Sequence, residues 1–561
     1  MTDVTLPLTT MTKHRLSPAP LPPSKCLRGI NSENSYPSSK PRLTFETALY
    51  DELILCIFSH LSWVDLCATQ STSRTWCRLA ADNELWRILY LRVYGRPRLR
   101  GARGFIGRAD GREVRSLPGR AKIDDLKDWK WMFRISSNWR TGRCLVEQFS
   151  DIPVLPSSSH LEANYSHDER THILLAGPLT IIASSRESLT PEIHLRAASG
   201  VTHTLFCRSS RSSVPNRITA LCLDQSSPLS GRVHLAAFLS TGEFTIYHIH
   251  PTHLVGSVTK LTYVPATRTT RTCPIIQAVY HHPLLISLSQ DFSLSIYDLS
   301  NDTVIHTQTL TSFTSFPPTS LVLSTPSPST YKLVMAYAIP VYPAHWSVGA
   351  TEVVISGHRY STSDISRSSA LALDTEPMTV VSTRTTRSFD IPSGWIDERK
   401  LRSIREQWSR KVSSIADTQT DGKWVVLAPA DGVSDLSPNN HPFTAAPHIA
   451  SPMHSPTTLQ LYRLSLPSMS SVASSPPKLT FARNLHGQIG PVSSLALADG
   501  RCVSLGLNGS VWVWDLEADT SAKVCDPESS PPECGKRTLV FDERRVVTSG
   551  PDGIIVRRFD V

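Results

Sequence analysis

Hydrophobic residues recur at helical spacing between residues 44 and 91. An unbroken apolar run extends from Leu53 to Phe58, and apolar positions continue every fourth residue through Ile57 to Leu61. Such a helix is apolar on nearly all sides, whereas a lone surface helix has one apolar stripe. A second apolar set at helical spacing follows: Trp76, Leu79, Leu85, Trp86 and Leu89. So small a helical block cannot bury all of this surface, so the surplus is predicted to contact a partner, elsewhere in the chain or on another protein.

From residue 144 onward, the pattern changes to short apolar strands separated by polar, Gly or Asp turns. One unit recurs, and its third strand ends near an aromatic residue: Tyr247, Tyr297, Tyr462, Trp514 or Phe559. Adjacent clear units are about 45 to 50 residues apart, a period found in propeller repeats. Seven repeats are predicted, at residues 173–196, 218–249, 276–299, 320–357, 412–464, 492–517 and 537–560.

The last repeat contains only three strands, while a lone strand at Cys144–Phe149 precedes the first repeat. Pairing between these two would remove exposed sheet edges. The sequence therefore predicts a mainly β chain, with a seven-bladed propeller preceded by a small all-α helical domain. Two insertions are predicted, near residues 358–411, with a short helix around Arg399–Trp408, and at residues 432–457.

These patterns divide the chain into four predicted segments. Residues 1–42 are rich in Pro, Ser and Thr and are predicted to be a disordered tail. The helical domain is expected at 43–92, a basic linker with a connecting helix at 93–143, and the propeller at 144–561. The linker is expected to hold the helical domain at a distance from the propeller.

The composition indicates the cellular compartment in which this protein is expected. The 561 residues carry a net charge of +9, and the eleven cysteines form no CxxC pair, which favours a reducing compartment. The first 30 residues lack an apolar signal core, and no run reaches the length of a membrane span. We therefore expect a protein of the cytoplasm, the nucleus or both, without membrane contact.

Motifs for chemistry are absent from the sequence. GxxxxGK[ST], HExxH and GxSxG do not occur. Adjacent His281 and His282 would point to opposite faces of a regular strand, which argues against a shared metal ion. No catalytic residue, cofactor or metal is predicted. A basic stretch at residues 92–122 could bind a polyanion, but it has few stacking aromatics, so a solvated linker is the favoured interpretation.

Residues 44–91 resemble the F-box. The resemblance is carried by Leu49, Asp51–Ile54, Ile57–Phe58, Leu61–Ser62, Asp65–Leu66, Trp76–Ala80 and Asn83–Trp86. Tyr50 replaces the family's Pro, and Thr72–Ser73 replaces its Val-Cys. The F-box binds the adaptor subunit of SCF ubiquitin ligases, which docks on a cullin. The resemblance implies an adaptor-binding role for Leu49, Leu53, Ile54, Ile57, Leu61, Leu66, Trp76, Leu85 and Trp86.

The repeats resemble WD repeats. Trp514–Asp515 matches the WD dipeptide, and His486–Gly487 has the family's Gly-His pair in reverse order. Asn138–Arg143 is similar to the segment that joins an F-box to a WD-repeat propeller. Members of the combined family often bind short, frequently phosphorylated segments of target proteins through propeller arginines. Candidates for this role in this chain are arginines in loops between strands, such as Arg217, Arg271 and Arg544.

The leading hypothesis is a non-catalytic substrate-recognition subunit of an SCF-type ubiquitin ligase. Its helical domain would bind the adaptor, and its propeller would bind a target protein. One alternative is a propeller scaffold outside ubiquitination, in which the helical block is an intramolecular strut. Another is a chromatin or nucleic-acid binder that uses residues 92–122, which predicts steeply salt-dependent binding.

Overall fold

The computed structural model describes residues 48–95, 128–149 and 170–561, the last range with gaps. These gaps are residues 211–213, 227–231, 266–272, 301, 313–314, 328, 342–344, 358–377, 390–393, 431–457, 467–475, 489, 527–536 and 551–552. The predicted tail, most of the basic stretch and the predicted loop at 432–457 lie outside the described residues. Within these ranges, no helix is long and apolar enough to cross a bilayer.

The described part of the N-terminal domain contains four short helices: α1 (Asp51–Phe58), α2 (Trp63–Thr69), α3 (Arg74–Ala80) and α4 (Asn83–Tyr90). A π-helical turn, Leu91–Gly95, extends α4. Hydroxyl or carboxylate side chains of Ser62, Ser73 and Asp82 accept hydrogen bonds from the first amides of α2, α3 and α4. These caps fix where each short helix begins, because the first amides of a helix have no partner within it.

A fifth helix, α5 (Trp129–Thr141), packs on the four-helix domain. Its Met132 and Phe133 are buried in the same apolar cluster as Ile54, Phe58 and Trp86. The helical core therefore includes residues that lie about 40 positions further along the chain than α4, which enlarges a core that would otherwise be marginal.

Twenty-eight strands in the described part of the chain form seven antiparallel sheets of four strands. The predicted seven-bladed propeller is confirmed. Blades 1 to 3 contain β2 (Thr171–Ala176), β3 (Leu179–Ser184), β4 (Glu192–Ala197), β5 (Thr202–Phe206); β6 (Ile218–Leu223), β7 (Val233–Leu239), β8 (Phe244–Ile249), β9 (Val258–Tyr263); and β10 (Ile275–His281), β11 (Leu284–Ser289), β12 (Ser293–Asp298), β13 (Ile305–Thr311). A 3-10 turn, Leu254–Gly256, precedes β9.

Blades 4 to 7 follow the same order. They contain β14 (Phe316–Ser327), β15 (Thr330–Val341), β16 (His345–Ser356), β17 (Thr379–Arg387); β18 (Ile415–Thr420), β19 (Trp424–Pro429), β20 (Leu459–Ser465), β21 (Lys478–Leu485); β22 (Val492–Ala498), β23 (Arg501–Gly506), β24 (Val511–Asp515), β25 (Thr520–Cys525); and β26 (Leu539–Phe541), β27 (Arg545–Gly550), β28 (Gly553–Arg558), β1 (Leu145–Phe149). A sixth helix, α6 (Glu398–Ser409), joins blade 4 to blade 5.

The propeller closes as the strand count predicts. Strand β1 pairs with β28 in antiparallel register, from Leu145 opposite Arg558 to Phe149 opposite Ile554. The first strand of the propeller region thus becomes the outer strand of the last blade. One predicted boundary is corrected, because the segment 358–411, expected to be an insertion, contains β17, the outer strand of blade 4.

The first strand of each blade lines the central axis, where it contacts the first strands of neighbouring blades. Because consecutive strands of a blade are antiparallel, the two faces of the propeller carry different connections. The upper face carries the connections from one blade to the next and the turns between second and third strands. The lower face carries the turns between first and second strands and between third and fourth strands.

Candidate partner-binding surfaces

An exposed apolar stripe lies on α1 and the residue that precedes it. Tyr50, Leu53 and Ile57 expose 79%, 51% and 44% of their surface. Their spacing places them on one side of the helix, because residues three or four apart share a face. Ile54 and Phe58, on the other side, are buried in the domain core. Helix α1 therefore has one face in the core and a second apolar face in contact with solvent.

A second apolar group begins α2. Trp63 and Val64 are both exposed. Trp63 lies with its ring centroid 6.3 Å from that of Phe133 on α5. It also lines a cleft of about 900 Å³ between the helical domain and the propeller, whose other walls include Trp131 and Val561. The exposed apolar surface of this domain thus extends from α1 to α2.

The nine residues with a predicted adaptor-binding role fall into three groups. Leu53 and Ile57 are exposed. Leu49, Leu61 and Trp76 are half-buried and pack against the domain core. The other four are buried in that core: Ile54, Leu66, Leu85 and Trp86. This corrects the prediction for these four residues, because a side chain that is enclosed within its own domain cannot form a contact surface for a partner.

Trp86 illustrates the reason for this correction. Its side chain is 2% exposed. Its indole Nε1 donates a hydrogen bond to the Ala80 carbonyl oxygen at 2.8 Å, and its ring packs edge-on against Phe133 of α5 at 5.5 Å. Helix α5, which the sequence places in a linker, covers the apolar face of α4. The sequence gives no signal for this long-range contact.

Sequence reasoning also missed exposed residues. Tyr50 was noted only as a departure from the family pattern, and Trp63 and Val64 were not singled out. Large apolar residues just before a helix or in its first turn are a signal that could identify them, because the helical stripes counted in the sequence do not include them.

Helix α5 also joins the helical domain to the lower face of the propeller. Trp139 stacks on Phe559, with ring centroids 3.9 Å apart and an interplanar angle of 9°. Its Nε1 donates a hydrogen bond to the Glu543 carbonyl oxygen at 3.0 Å, and the Arg501 guanidinium lies 4.2 Å from its ring centroid. Ile135 and Trp139 belong to an apolar cluster formed with blades 6 and 7.

Polar contacts reinforce this joint. The amide nitrogen Nδ2 of Asn138 donates to the carbonyl oxygen of Phe559 at 2.9 Å, and Arg134 donates to the carbonyl oxygen of Asp560 at 3.0 Å. The expectation that a linker holds the helical domain at a distance is therefore wrong. One helix has Met132 and Phe133 in the helical core and Ile135 and Trp139 in the propeller core.

On the upper face, three arginines occupy equivalent positions in consecutive blades. Arg537, Arg170 and Arg217 lie one or two residues before the first strands of blades 7, 1 and 2. Arg170 is exposed, and the other two are half-buried. Sequence reasoning had selected Arg217 and missed Arg170 and Arg537, whose common position becomes visible only when the blades are aligned.

The other two predicted arginines are not brought together with Arg217. Arg544 lies between β26 and β27, which places it on the lower face, and its guanidinium lies 5.4 Å from the ring centroid of Trp131 on α5. Arg544 and Arg217 therefore lie on opposite faces of the propeller. Arg271 lies outside the described residues.

Two half-buried ionisable groups lie on the axis-lining strands. His172 of β2 shares a hydrogen bond with the Ser185 hydroxyl at 2.8 Å, and burial lowers the pKa of His172 to about 4. Asp417 of β18 accepts a hydrogen bond from the Leu495 amide of the next blade at 2.7 Å. Burial raises the pKa of Asp417, although this bond and the positive charge of Arg170 oppose the rise.

Within the described ranges, no cluster of three or more His, Cys, Asp or Glu side chains is placed to hold a metal ion. His281 is the last residue of β10, and His282 lies in the turn that follows it. The features that this structure offers for recognition are therefore surfaces: the apolar face of the helical domain and the upper face of the propeller.

Comparison with protein families agrees with this two-part architecture. A model of the F-box-like family matches residues 51–92, which cover α1 to α4. A model described as the β-propeller of F-box protein pof12 matches residues 193–538, more than half of the chain. The two matched ranges correspond to the helical domain and to most of the propeller.

Curated relatives match a shorter part of the chain. Three fungal proteins are each named as a probable E3 ubiquitin ligase complex SCF subunit sconB. Those of Arthroderma benhamiae and Trichophyton verrucosum are 28% identical over 127 residues, and that of Arthroderma otae is 29% identical over 127 residues. The match covers 19% of this chain and 19%, 19% and 18% of those proteins, respectively.

Proposed function

The chain belongs to the family of F-box proteins with a pof12-type β-propeller, and from this premise we propose that it is the substrate-recognition subunit of an SCF-type ubiquitin ligase. Its helical domain binds the adaptor subunit, which links it to a cullin. Its propeller binds the target protein. The names of the sconB relatives support this proposal, although only a fifth of each protein is matched.

The observation that carries the proposal is the exposed apolar stripe Tyr50, Leu53 and Ile57, which lies outside the apolar core of the helical domain. Exposed apolar surface of this kind marks protein interaction sites. Burial of such side chains in an interface contributes to binding at about 25 cal/mol per Å². An apolar partner surface, as the adaptor of an F-box protein would supply, fits this stripe.

In this proposal, the subunit acts by holding the target protein close to the ubiquitin carrier. The subunit performs no bond chemistry in this proposal, since the ubiquitin carrier and the other ligase subunits supply it. Helix α5 fixes the helical domain against blades 6 and 7, so the adaptor and the bound target have a fixed relative orientation. A lysine of the target then experiences a high effective concentration of activated ubiquitin. Such a ligase would act in the cytoplasm or the nucleus.

Binding to the purified adaptor subunit tests this proposal. We expect the double variant Leu53→Ala, Ile57→Ala to bind the adaptor about 10- to 100-fold more weakly, because truncation of interface anchors has this effect. Its thermal unfolding should match that of the unmodified chain, because both side chains are exposed. Isothermal titration calorimetry measures the dissociation constant, and differential scanning calorimetry measures the melting temperature.

Ile305→Ala provides the matched control, because Ile305 is an exposed apolar residue on an outer strand of the propeller. This control should bind the adaptor normally. The proposal is rejected if the unmodified chain does not bind the adaptor, or if the double variant binds as tightly as the control. Trp86→Ala should instead lower the melting temperature, because Trp86 is a core residue.

A further inference from the structure

A basic helix, α6, stands on the upper face of the propeller in the connection between blades 4 and 5. None of its residues is buried. Its sequence, ERKLRSIREQWS, contains four basic residues and two acidic residues. A short helix with so little cover is held in place by its ends or by a partner, because helices of this length are marginal in water by themselves.

The C-terminal end of α6 is firmly attached to the propeller. Trp408 packs edge-on against Phe389, which follows β17, with ring centroids 5.2 Å apart. Val412, just beyond the helix, exchanges two backbone hydrogen bonds with Trp346 of β16, at 2.7 and 3.0 Å. The Arg410 carbonyl oxygen accepts a hydrogen bond at 2.8 Å from a side chain of β20. Blades 4 and 5 therefore fix the direction in which the helix projects.

The N-terminal end of α6 has a defined conformation and little cover. The Asp397 carboxylate caps the helix by accepting a hydrogen bond from the Lys400 amide at 2.7 Å. The Lys400 ammonium donates a hydrogen bond to the Trp395 carbonyl oxygen at 3.0 Å. Trp395 is nevertheless 87% exposed, and Ile396 and Leu401 beside it are also exposed. An ordered turn thus presents a large aromatic side chain to solvent.

Three arginines of α6 add positive charge next to this apolar tip. Arg399, Arg402 and Arg405 recur every third residue, which places them on one side of the helix. All three are exposed, and none forms an ion pair within the described part of the chain. The apolar tip and the arginine side together form a surface that we call the α6 ridge.

We propose that the α6 ridge docks an acidic segment of the target protein, with an apolar side chain of that segment covering Trp395. This inference rests on the proposed function and names the kind of target that the propeller takes. Carboxylates of the segment complement the exposed guanidinium groups, because a guanidinium can bind a carboxylate in bidentate fashion. Tryptophan and arginine are the residue types that most often dominate binding energy in protein interfaces.

Two other classes of partner fit the ridge less well. A helix that lies on a membrane buries a continuous apolar face, whereas Trp408 of α6 packs on Phe389 and the exposed apolar residues cluster at one end. A single-stranded nucleic acid stacks its bases on several aromatic side chains, and Trp395 is the one exposed aromatic residue of the ridge within the described residues. An acidic protein segment matches both the charge and the single apolar anchor.

Fluorescence anisotropy with the full chain tests the proposal. The probe is a fluorescein-labelled peptide rich in Asp and Glu with interspersed Leu and Phe. A second peptide, in which Lys replaces each Asp and Glu, is the charge control. We expect the acidic peptide to bind the unmodified chain, and the triple variant Arg399→Glu, Arg402→Glu, Arg405→Glu to bind it at least about tenfold more weakly. Trp395→Ala should also weaken binding about tenfold.

Arg232→Glu is the control variant, because Arg232 is an exposed arginine that lies on the lower face, just before β7. It should leave binding of the acidic peptide unchanged. The proposal is overturned if the acidic peptide does not bind, if it binds the triple variant as tightly as the unmodified chain, or if the Lys peptide binds equally well. Binding that depends on the ridge but occurs only to phosphatidylserine vesicles or to oligothymidylate also overturns it.

Adaptor binding by the same variants separates the two proposals. The substitutions in the α6 ridge are on the opposite face of the propeller from the helical domain, so adaptor binding should not change. If the ridge binds the acidic peptide but the chain does not bind the adaptor, the ligase function fails and the docking surface stands. If the adaptor binds and the ridge variants leave peptide binding intact, only the docking proposal fails.

Discussion

At the scale of single residues, burial decides which side chains act on partners and which hold the fold. Leu53 and Ile54 are neighbours on α1, yet Leu53 is exposed and Ile54 is buried. Both are apolar and both match the F-box pattern, so the sequence does not separate them. The separation depends on which side of the helix the rest of the domain covers, and α3 packs on the side that carries Ile54 and Phe58.

His172 provides a prediction about pH at the residue scale. Because burial lowers the pKa of His172 from 6.5 to about 4, the unfolded chain binds a proton at pH values where the folded chain does not. The free energy of unfolding therefore falls as the pH decreases from 6.5 to about 4. The loss that this residue contributes is at most about 3 kcal/mol.

The variant His172→Gln isolates this effect, because glutamine retains hydrogen-bonding groups near Ser185 and does not titrate. Urea unfolding at several pH values should show that the unmodified chain loses more stability than His172→Gln over this range. Equal losses in the two proteins would contradict the assignment of a neutral His172 in the folded chain. Other titrating groups are present in both proteins, so their contributions cancel in the comparison.

At the scale of elements, α5 contributes side chains to both the helical core and the propeller core. The helix ends at Gly142. Gly142 has a left-handed φ of +74°, and a Cβ atom added there would lie 2.1 Å from the Lys523 carbonyl oxygen of β25. Only glycine permits both the left-handed turn and this close approach. The residue therefore fixes how closely α5 packs against blade 6.

We expect Gly142→Ala to destabilise the protein more than Gly200→Ala. Gly200 also has a left-handed φ, of +86°, but no atom lies within 4 Å of the added Cβ position. Both substitutions incur the left-handed strain of an L-residue, about 1 to 2 kcal/mol, and Gly142→Ala adds a backbone clash. Chemical denaturation measures the difference, and equal effects would show that α5 can move away from blade 6 without loss.

At the scale of the whole molecule, strand β1 closes the ring of blades. It lies far from β28 in sequence, and its Leu145 and Val146 are exposed, so its position depends on backbone pairing more than on apolar burial. Without β1, β28 would present an unpaired edge. The connection from α5 to β1 also makes the helical domain and the closing strand continuous in the chain.

Proline substitutions test this closure. The amides of consecutive residues in an edge strand point alternately towards and away from the neighbouring strand. Of Glu147→Pro and Gln148→Pro, one therefore removes a hydrogen bond to β28, and we expect that variant to lose about 1 to 3 kcal/mol of stability. The other variant is the control. Two variants that both melt like the unmodified chain would contradict the closure.

The amino-acid sequence by itself determined the local elements and their number. Helical spacing around residues 51–61, the aromatic residues of the third strands and the three-stranded last repeat together predicted a helical domain and a closed seven-bladed propeller. Side chains in helices and strands repeat their directions over a few residues. Short-range periodicity in the sequence therefore predicts these features. The outer strands are harder to predict, because they are half exposed, and β17 is composed mostly of Thr, Ser and Arg, with only two apolar residues.

Only the tertiary structure decided which apolar residues of the helical domain face solvent and where that domain sits. Helix α5 covers Trp86 and stacks Trp139 on Phe559, a pair more than 400 positions apart in the chain. Helix α6 packs on the propeller through its C-terminal end, so Trp395, which precedes its N-terminal end, is exposed. Burial is a property of neighbours in space, and contacts between residues so distant in sequence leave no periodic signal in the chain itself.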